Sequence, residues 1–418
     1  MEALPIRATP EDLARVNLGD PQTFADHDLS GYWRTLRAVQ PLYRHPAVGD
    51  KPGFWVLSRY DDIVALYRDN DTFTSERGNV LITLLDEGDS AAGQMLPVTD
   101  GPRHKELRNV LLKAFSPRVL NRIGEQVRRT TRTLLAAAVD RGECDFALDI
   151  ASKIPMITIC DLLGVPSQDR EYMLSLTKSA ISSDDQPEYS AAADTARNNI
   201  LQYFLGMVEE RRAAPREDVV SVLAGSTIDG EFLSEGEIVL NCYSLILGGD
   251  ATARLTMIDS VHSFSTNPDQ WAAFKRGDVS VKSAAEEVLR WASPTMHFGR
   301  TAVRDTEIHG TPVKRGDVVT VWNVSGNRDE SVFADPDRFL IDRSPNKHIA
   351  FGHGPHYCIG AYLARLEISE VLLALRDFTA GFEVAGPVRR IYSNLLTGIS
   401  SLPVRFEPVS VEVEELVL

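Results

Sequence analysis

The sequence predicts a mainly α-helical protein with a minor β part, an α+β fold built as one large domain over residues 1–418. Three observations carry this expectation. Long segments hold apolar residues at the 3.6-residue period of a helix. Strand-like pieces are few and short. No internal repeat, low-complexity tract or Pro/Ser-rich linker divides the chain.

Taken in order, Gly53–Arg59 (GFWVLSR) reads as a strand, and Asp61–Arg68 opens a helix whose N-terminal dipole Asp61 and Asp62 complement. Gly78–Thr99 reads as a long, Gly-rich irregular loop. The apolar Val80, Leu81, Ile82 and Leu84 inside it mark a buried flap or a binding loop. Helices follow over His104–Phe115, Pro117–Arg141, Ile154–Leu163, Tyr189–Ala213 and Ser234–Asn267. The last is strongly apolar around Ile246, which sends it through the middle of the core. Ser283–Trp291 adds a helix, and Thr306–Ile308, Val318–Trp322 and Pro403–Phe406 add strands.

Lys and Arg total 44 against 59 Asp and Glu, a formal net charge of -15. The long-range field of that charge disfavours nucleic acid and anionic membranes. Met1–Pro10 has no apolar signal-like core, and no run approaches the ~18 apolar residues of a membrane span. The expected location is therefore the cytoplasm, without a nucleic-acid or membrane partner, and the chain is expected to be a monomer. Four cysteines, Cys144, Cys160, Cys242 and Cys358, lie scattered with no C-x-x-C pair, the pattern of reduced thiols and not of a disulfide framework. Cys144, Cys160 and Cys242 sit in apolar, helix-like surroundings suited to small core residues. Cys358 instead lies in a Gly-rich loop.

That loop, residues 351–361, reads F-G-H-G-P-H-Y-C-I-G-A. Phe351, Gly352, Gly354, His356, Cys358 and Gly360 fit the pattern F-G-x-G-x-H-x-C-x-G, and here the sequence resembles the cytochrome P450 superfamily. A weaker resemblance runs from about Leu13 to the C-terminus. It implies the P450 fold, with haem b between the long central helix and the helix after Cys358, its iron ligated by the Cys358 thiolate. A thiolate donates electron density to haem iron and favours O–O cleavage. An anionic sulfur in an apolar site needs N–H donors. A Gly-rich turn lets backbone approach closely, and a helix starting at Ile359–Ala361 turns its positive end toward the sulfur. Phe351 would shield the sulfur from water. The competing readings are a buried structural cysteine, or a zinc site, which lacks a second cysteine pair.

Further motifs gain meaning from the resemblance. Glu287 and Arg290 stand i,i+3 on a helix and match E-x-x-R, whose implied role is structural, pinning the helix to the segment before the thiolate loop. His104 and Arg108, i,i+4 on one face, match H-x-x-x-R; with Arg300 and His356 they are implied to hold the haem propionates. Gly248-Gly249-Asp250-Ala251-Thr252 resembles the oxygen-binding stretch (A/G)-G-x-(D/E)-T-T. The two glycines would let O2 and substrate approach, and Thr252 would hydrogen-bond O2 or the water that supplies protons. The sequence departs from the family at Ala251, where an acid is usual. Asp250 lies one position earlier, rotated by about 100°. Two readings of Asp250 stay open, a relay acid and an ordinary ion pair with Arg254.

By resemblance the substrate is a hydrophobic small molecule, lined by Leu81 of the Gly78–Thr99 loop, Leu245, Met296, Leu395 and Leu396. His297 is the polar exception that would hold a substrate oxygen. No flavin or nicotinamide domain and no G-x-G-x-x-G after a strand is present, so electrons from NAD(P)H would arrive through a separate ferredoxin and reductase. Arg103, Lys105, Lys113, Arg343 and Lys347 would form the docking face, scattered solvated charge being the alternative. The expected activity is hydroxylation or epoxidation with O2 as co-substrate. Its rivals are a peroxygenase, a coupling or desaturating P450, and a non-catalytic haem sensor.

Overall fold

The computed structural model describes residues 2–3, 10–86, 88–181 and 190–409. Its axis is the helix Glu235–Thr266. Ser234 starts it with a reciprocal cap: the Ser234 hydroxyl accepts from Glu237 N at 3.2 Å, and Glu237 Oε2 accepts from Ser234 N at 2.9 Å. Seventeen of its residues are buried, Ile246 among them, because helices pack on several sides of it: Ile154–Leu163, Arg170–Ile181, Ser190–Ala213, Val281–Ala292 and Ala361–Phe378. A helix apolar nearly all round can only be a core helix. The helix Pro117–Arg141, capped by Ser116 and ended by left-handed Gly142, lies against Ala361–Phe378.

The main β part is a five-stranded sheet in the order Leu42–His45, Phe54–Leu57, Val318–Trp322, His297–Ala302, Phe73–Thr74. Val318–Trp322 runs parallel to Phe54–Leu57 and antiparallel to His297–Ala302. Thr379–Val384, Pro403–Pro408 and Glu143–Asp145 form a three-stranded sheet. The mainly helical fold with small sheets is thus as the sequence predicts.

Several expectations need correction. Gly78–Thr99 is not irregular throughout: Leu81–Leu85 is a helix, and Leu96–Val98 a 3-10 turn, because Leu81 and Leu84 bury against the sheet. Cys144 lies on the half-buried strand Glu143–Asp145 and not in a helix, whereas Cys160 and Cys242 are buried helical residues. The predicted helix start at Tyr189 falls outside the described residues, where the helix is Ser190–Ala213. The reading of Met1–Pro10 also falls almost wholly outside them. Among the described residues no helix is long and apolar enough to cross a membrane.

Candidate functional site

The loop around Cys358 is folded by its glycines. Gly352 and Gly354 both sit in the left-handed region, at φ 68° and 69°. At Gly354 a Cβ would also collide with the Tyr67 carbonyl oxygen, so a side chain is excluded by strain and by space. Gly354–His356 makes one 3-10 turn, and Cys358 N donates to Phe351 O at 3.0 Å, closing the loop. Gly360 then starts the helix Ala361–Phe378. Cys358 is accessible, yet burial of its sulfur pushes the thiol pKa up. The N–H groups of Gly360 and Ala361 and the cations Arg108 and Arg365 oppose the rise. The sulfur is a protonated thiol by itself and is prepared for the anionic form that a metal cation enforces.

Arg365 was not singled out in the sequence, although it stands in the same L-A-R-L-E run after the loop. It donates to Glu286 at 2.6 Å and 3.0 Å and to Tyr357 Oη at 3.1 Å, and its guanidinium lies 4.6 Å from the Phe351 ring centre. Against burial, which pushes Glu286 up, His348 and Arg365 hold its carboxyl down at about 2. The arginine thus braces both ends of the loop from the helix that follows it.

The four residues expected at the propionates group into one cationic cluster. The His104 and His356 rings lie 4.2 Å apart. His356 Nε2 meets Asp100 Oδ1 at 2.7 Å, and Asp100 also accepts from Ser75 N, Ser75 Oγ and Thr74 Oγ1. Burial raises Asp100, but these hydrogen bonds, the His356 bond foremost, hold it well below the usual range. Arg300 is enclosed, donates to Gly299 O at 2.7 Å and lies 5.9 Å from the Tyr67 ring centre. Burial, then the charges of His356, Arg108 and Arg300, push His104 down to about 4. His104 Nε2 and Arg300 Nε are buried without a hydrogen-bond partner. Two arginines and two histidines with orphaned buried nitrogens, opposed by one acid, are incomplete without acceptors, and the arginine charges favour anionic ones. These residues therefore fit a group that carries carboxylates, as haem does. Asp100, in D-G-P-R-H, is the member the sequence did not single out.

The central helix brings its small residues to two different surroundings. Gly248 is exposed, and among the described residues nothing beyond its own helix backbone and chain neighbours lies within 4 Å of an added Cβ. Gly249 needs correction: its added Cβ would stand 3.0 Å from Ile159, so this glycine serves close helix packing and not ligand approach. Thr252 Oγ1 donates to Gly248 O at 3.0 Å, which leaves its lone pairs free to accept. Asp250 is fully buried and points elsewhere: it accepts from Thr177 at 3.2 Å and lies 3.5 Å from Arg254. Two residues apart on a helix, Asp250 and Thr252 leave the axis about 200° apart. The ion pair, not a shared site with Thr252, is what the structure places at Asp250.

Among the expected substrate contacts, His297 is a core residue. It is fully buried, its ring is 4.6 Å from Trp322, and its Nε2 accepts from Leu81 N at 3.2 Å. Burial drives it down to about 3, so the ring is neutral, with Nε2 taken by Leu81 N. Leu81 and Met296 are buried in the same cluster as Trp322. Leu395 and Leu396 pack with Ala251 and Leu255, beside Thr252, and Leu245 is half-buried on the central helix.

Glu287 and Arg290 are fully buried and joined by two bonds of 2.8 Å. Arg290 also donates to Asn327 O, Pro336 O and Arg338 O, while Glu287 accepts from Leu340 N, Arg343 and Asn346. The pair fixes the segment leading to the thiolate loop. Arg343 is therefore internal, and Arg103 pairs with Glu237; of the expected docking cations Lys105, Lys113 and Lys347 are exposed.

A model of the cytochrome P450 family matches residues 281–404, the span holding the Glu287–Arg290 pair and the Cys358 loop. The chain is 47% identical over 397 residues to cytochrome P450 NovI of Streptomyces niveus, covering 95% of this chain and 98% of that protein. It is 32% identical over 408 residues to linalool 8-monooxygenase of Pseudomonas putida, covering 95% and 100%. Among solved structures, P450 OxyD, involved in the biosynthesis of vancomycin-type antibiotics, aligns with a TM-score of 0.85 at 32% identity over 94% of this chain and 100% of that chain.

Proposed function

The chain belongs to the cytochrome P450 family, and from that premise we propose that it is a haem-thiolate monooxygenase acting on a hydrophobic small molecule in bacterial secondary metabolism. The observation that carries this reading is the pairing of an accessible Cys358, at the start of a helix, with a cationic cluster whose buried donors lack acceptors. When bound, haem supplies O2 activation: RH + O2 + 2 H+ + 2 e− gives ROH + H2O.

The chain's own groups would do the following. Cys358 Sγ binds the iron, with Gly360 N–H, Ala361 N–H, Arg108 and Arg365 stabilising its negative charge. His104, Arg108, Arg300 and His356 hold the propionates, with Asp100 orienting His356. Phe351 keeps water from the sulfur. Gly248 leaves room beside the central helix, and Thr252 Oγ1, held to Gly248 O, accepts a proton donor there. Leu395, Leu396 and Leu245 offer an apolar surface to the substrate. Electrons would come from NAD(P)H through a ferredoxin-type partner, for which Lys105, Lys113 and Lys347 give exposed positive charge. The tailoring role is supported by the likeness to OxyD.

The test is the optical spectrum of dithionite-reduced protein with and without carbon monoxide. A strongly red-shifted Soret band is expected, lost in Cys358→Ala. A variant with the wild-type spectrum would overturn the assignment of the ligand. Product formation with ferredoxin, reductase and NAD(P)H, against turnover with hydrogen peroxide alone, separates the monooxygenase from a peroxygenase.

A further inference from the structure

We propose that Glu286 is a positioning residue for the Cys358 sulfur: it ties the two flanks of the thiolate loop together, holds the Arg365 charge toward the sulfur, and so sets the reduction potential of the bound haem. Glu286 and Glu287 are neighbours on the helix Val281–Ala292 and serve different segments. Glu287 binds Arg290, Leu340 N and Asn346, ahead of the loop. Glu286 reaches the loop itself.

Three donor groups converge on the Glu286 carboxylate. Arg365 supplies two, Nε to Oε1 at 2.6 Å and Nη2 to Oε2 at 3.0 Å, the paired geometry that fixes a guanidinium in plane. His348 supplies the third, Nε2 to Oε2 at 2.9 Å. Its tautomer follows from the other ring nitrogen. Ala350 N donates to Nδ1 at 3.3 Å, so the ring proton lies on Nε2 and is donated to Glu286. The His348 side chain is only 2% exposed, which makes it a fixed donor. One carboxylate thereby joins Ala350, at the entry to the loop, to Arg365 on the helix that leaves it. Arg365 extends the tie: Nη1 donates to Tyr357 Oη at 3.1 Å, next to Cys358, and the guanidinium lies 4.6 Å from the Phe351 ring centre. The other acceptors of Arg365, Tyr357 Oη and Ala361 O, are neutral oxygens, and its side chain is 33% exposed. Without Glu286 the guanidinium is free to turn to water. In place, it is one of two cations that favour the anionic sulfur. A cation held beside a thiolate draws electron density from the sulfur, weakens its donation to iron and raises the potential.

The inference rests on the haem-thiolate reading, and the sign of one measurement separates it from a plain charge effect. Removing a negative charge that merely lies near the iron raises the potential, whereas releasing Arg365 lowers it. The reduction potential of the substrate-free holoprotein is measured by dye-mediated titration, alongside the spectrum of the reduced, carbon monoxide-bound form. Glu286→Gln and Arg365→Gln should each lower the one-electron reduction constant by about threefold or more, about 28 mV at about 59 mV per tenfold. Glu286→Asp keeps the charge but draws the carboxylate back by one methylene, and should lower the potential as well. In the Arg365→Gln background, Glu286→Gln should lower it no further. Should Glu286→Gln fail to hold haem, Glu286→Asp decides alone. A raised or unchanged potential in Glu286→Gln, an unchanged one in Glu286→Asp, or a full further drop in the double variant overturns the proposal. A wild type without the red-shifted Soret band overturns the haem-thiolate reading and this inference with it; a red-shifted band with unmoved variants overturns the inference alone.

Discussion

One methyl group should have opposite effects at the neighbouring glycines of the central helix. At Gly248 an added Cβ meets nothing within 4 Å, so Gly248→Ala gains helix propensity, about 0.8–1.0 kcal/mol. At Gly249 the same atom stands 3.0 Å from Ile159 Cδ1 and Cγ1 and 3.3 Å from its Cβ. Ile159 is buried and stiff at χ1, so it cannot swing aside. Overpacking of this kind costs about 1–3 kcal/mol, which offsets or exceeds the propensity gain. The two variants should therefore differ by about 1–3 kcal/mol, with Gly249→Ala the less stable. At about 2.1 cal/mol/K per residue over 418 residues, 1 kcal/mol moves Tm by about 1 °C. The melting temperatures of the holoproteins should thus separate by about 1–3 °C in calorimetry. Shortening the neighbour tests the cause: Ile159→Val removes Cδ1, and the double variant should recover about 0.5 kcal/mol or more relative to additivity. The exposed face of Gly248 gives a second readout. Gly248→Ala should weaken binding of imidazole or carbon monoxide, and Gly249→Ala should not. A Gly249→Ala protein that melts at or above Gly248→Ala, or shows no coupling to Ile159, refutes the packing argument.

Three other outcomes are expected. Glu287→Gln leaves Arg290 and Arg343 buried beside a neutral amide, a loss of about 3–5 kcal/mol; retention of haem through gel filtration and a Tm within about 1 °C of wild type would contradict it. Thr252→Ala should release more hydrogen peroxide per NAD(P)H consumed, and unchanged coupling would move proton supply to another group. Burial pushes Glu367 up to about 8, so between 4.5 and 8 the folded chain holds a proton that the unfolded chain has lost. Stability from this group is full below pH 4.5 and falls by up to about 1.4 kcal/mol per pH unit toward 8. Glu367→Gln should flatten that decline, and a Tm difference from wild type that stays constant across this window would refute it.

What the sequence made legible was what local chemistry or spacing encodes. The capped ends of Glu235–Thr266, the Gly-rich turn before Cys358 and the i,i+3 Glu287–Arg290 pair each carry their own signal. The clustering of His104, Arg108, Arg300 and His356 was legible only through the resemblance, because no spacing links residues nearly 200 positions apart. Contacts made by tertiary packing left no sequence trace. Nothing in a histidine beside an apolar run tells that Trp322 and Leu81 N–H occupy the His297 ring. Likewise Gly249 reads the same as Gly248 until the helix Ile154–Leu163 is laid against it. Asp100 went unread because an acid before Gly-Pro looks like a cap, whereas it accepts from Ser75 and Thr74 of a distant strand end.

The displaced acid on the central helix shows how much one residue of register decides. An Asp at 250 faces Thr177 and Arg254 in the core, while position 251 faces Leu255, Leu396 and the recess that Arg254 and Lys178 also line. A chain with its acid at 251 would place a carboxylate against those cations and next to Thr252. This chain places a methyl there and spends its acid on a buried ion pair. On the proposed reading of Thr252, its proton then comes through a group that is not Asp250, whose carboxylate is held by Thr177 and Arg254.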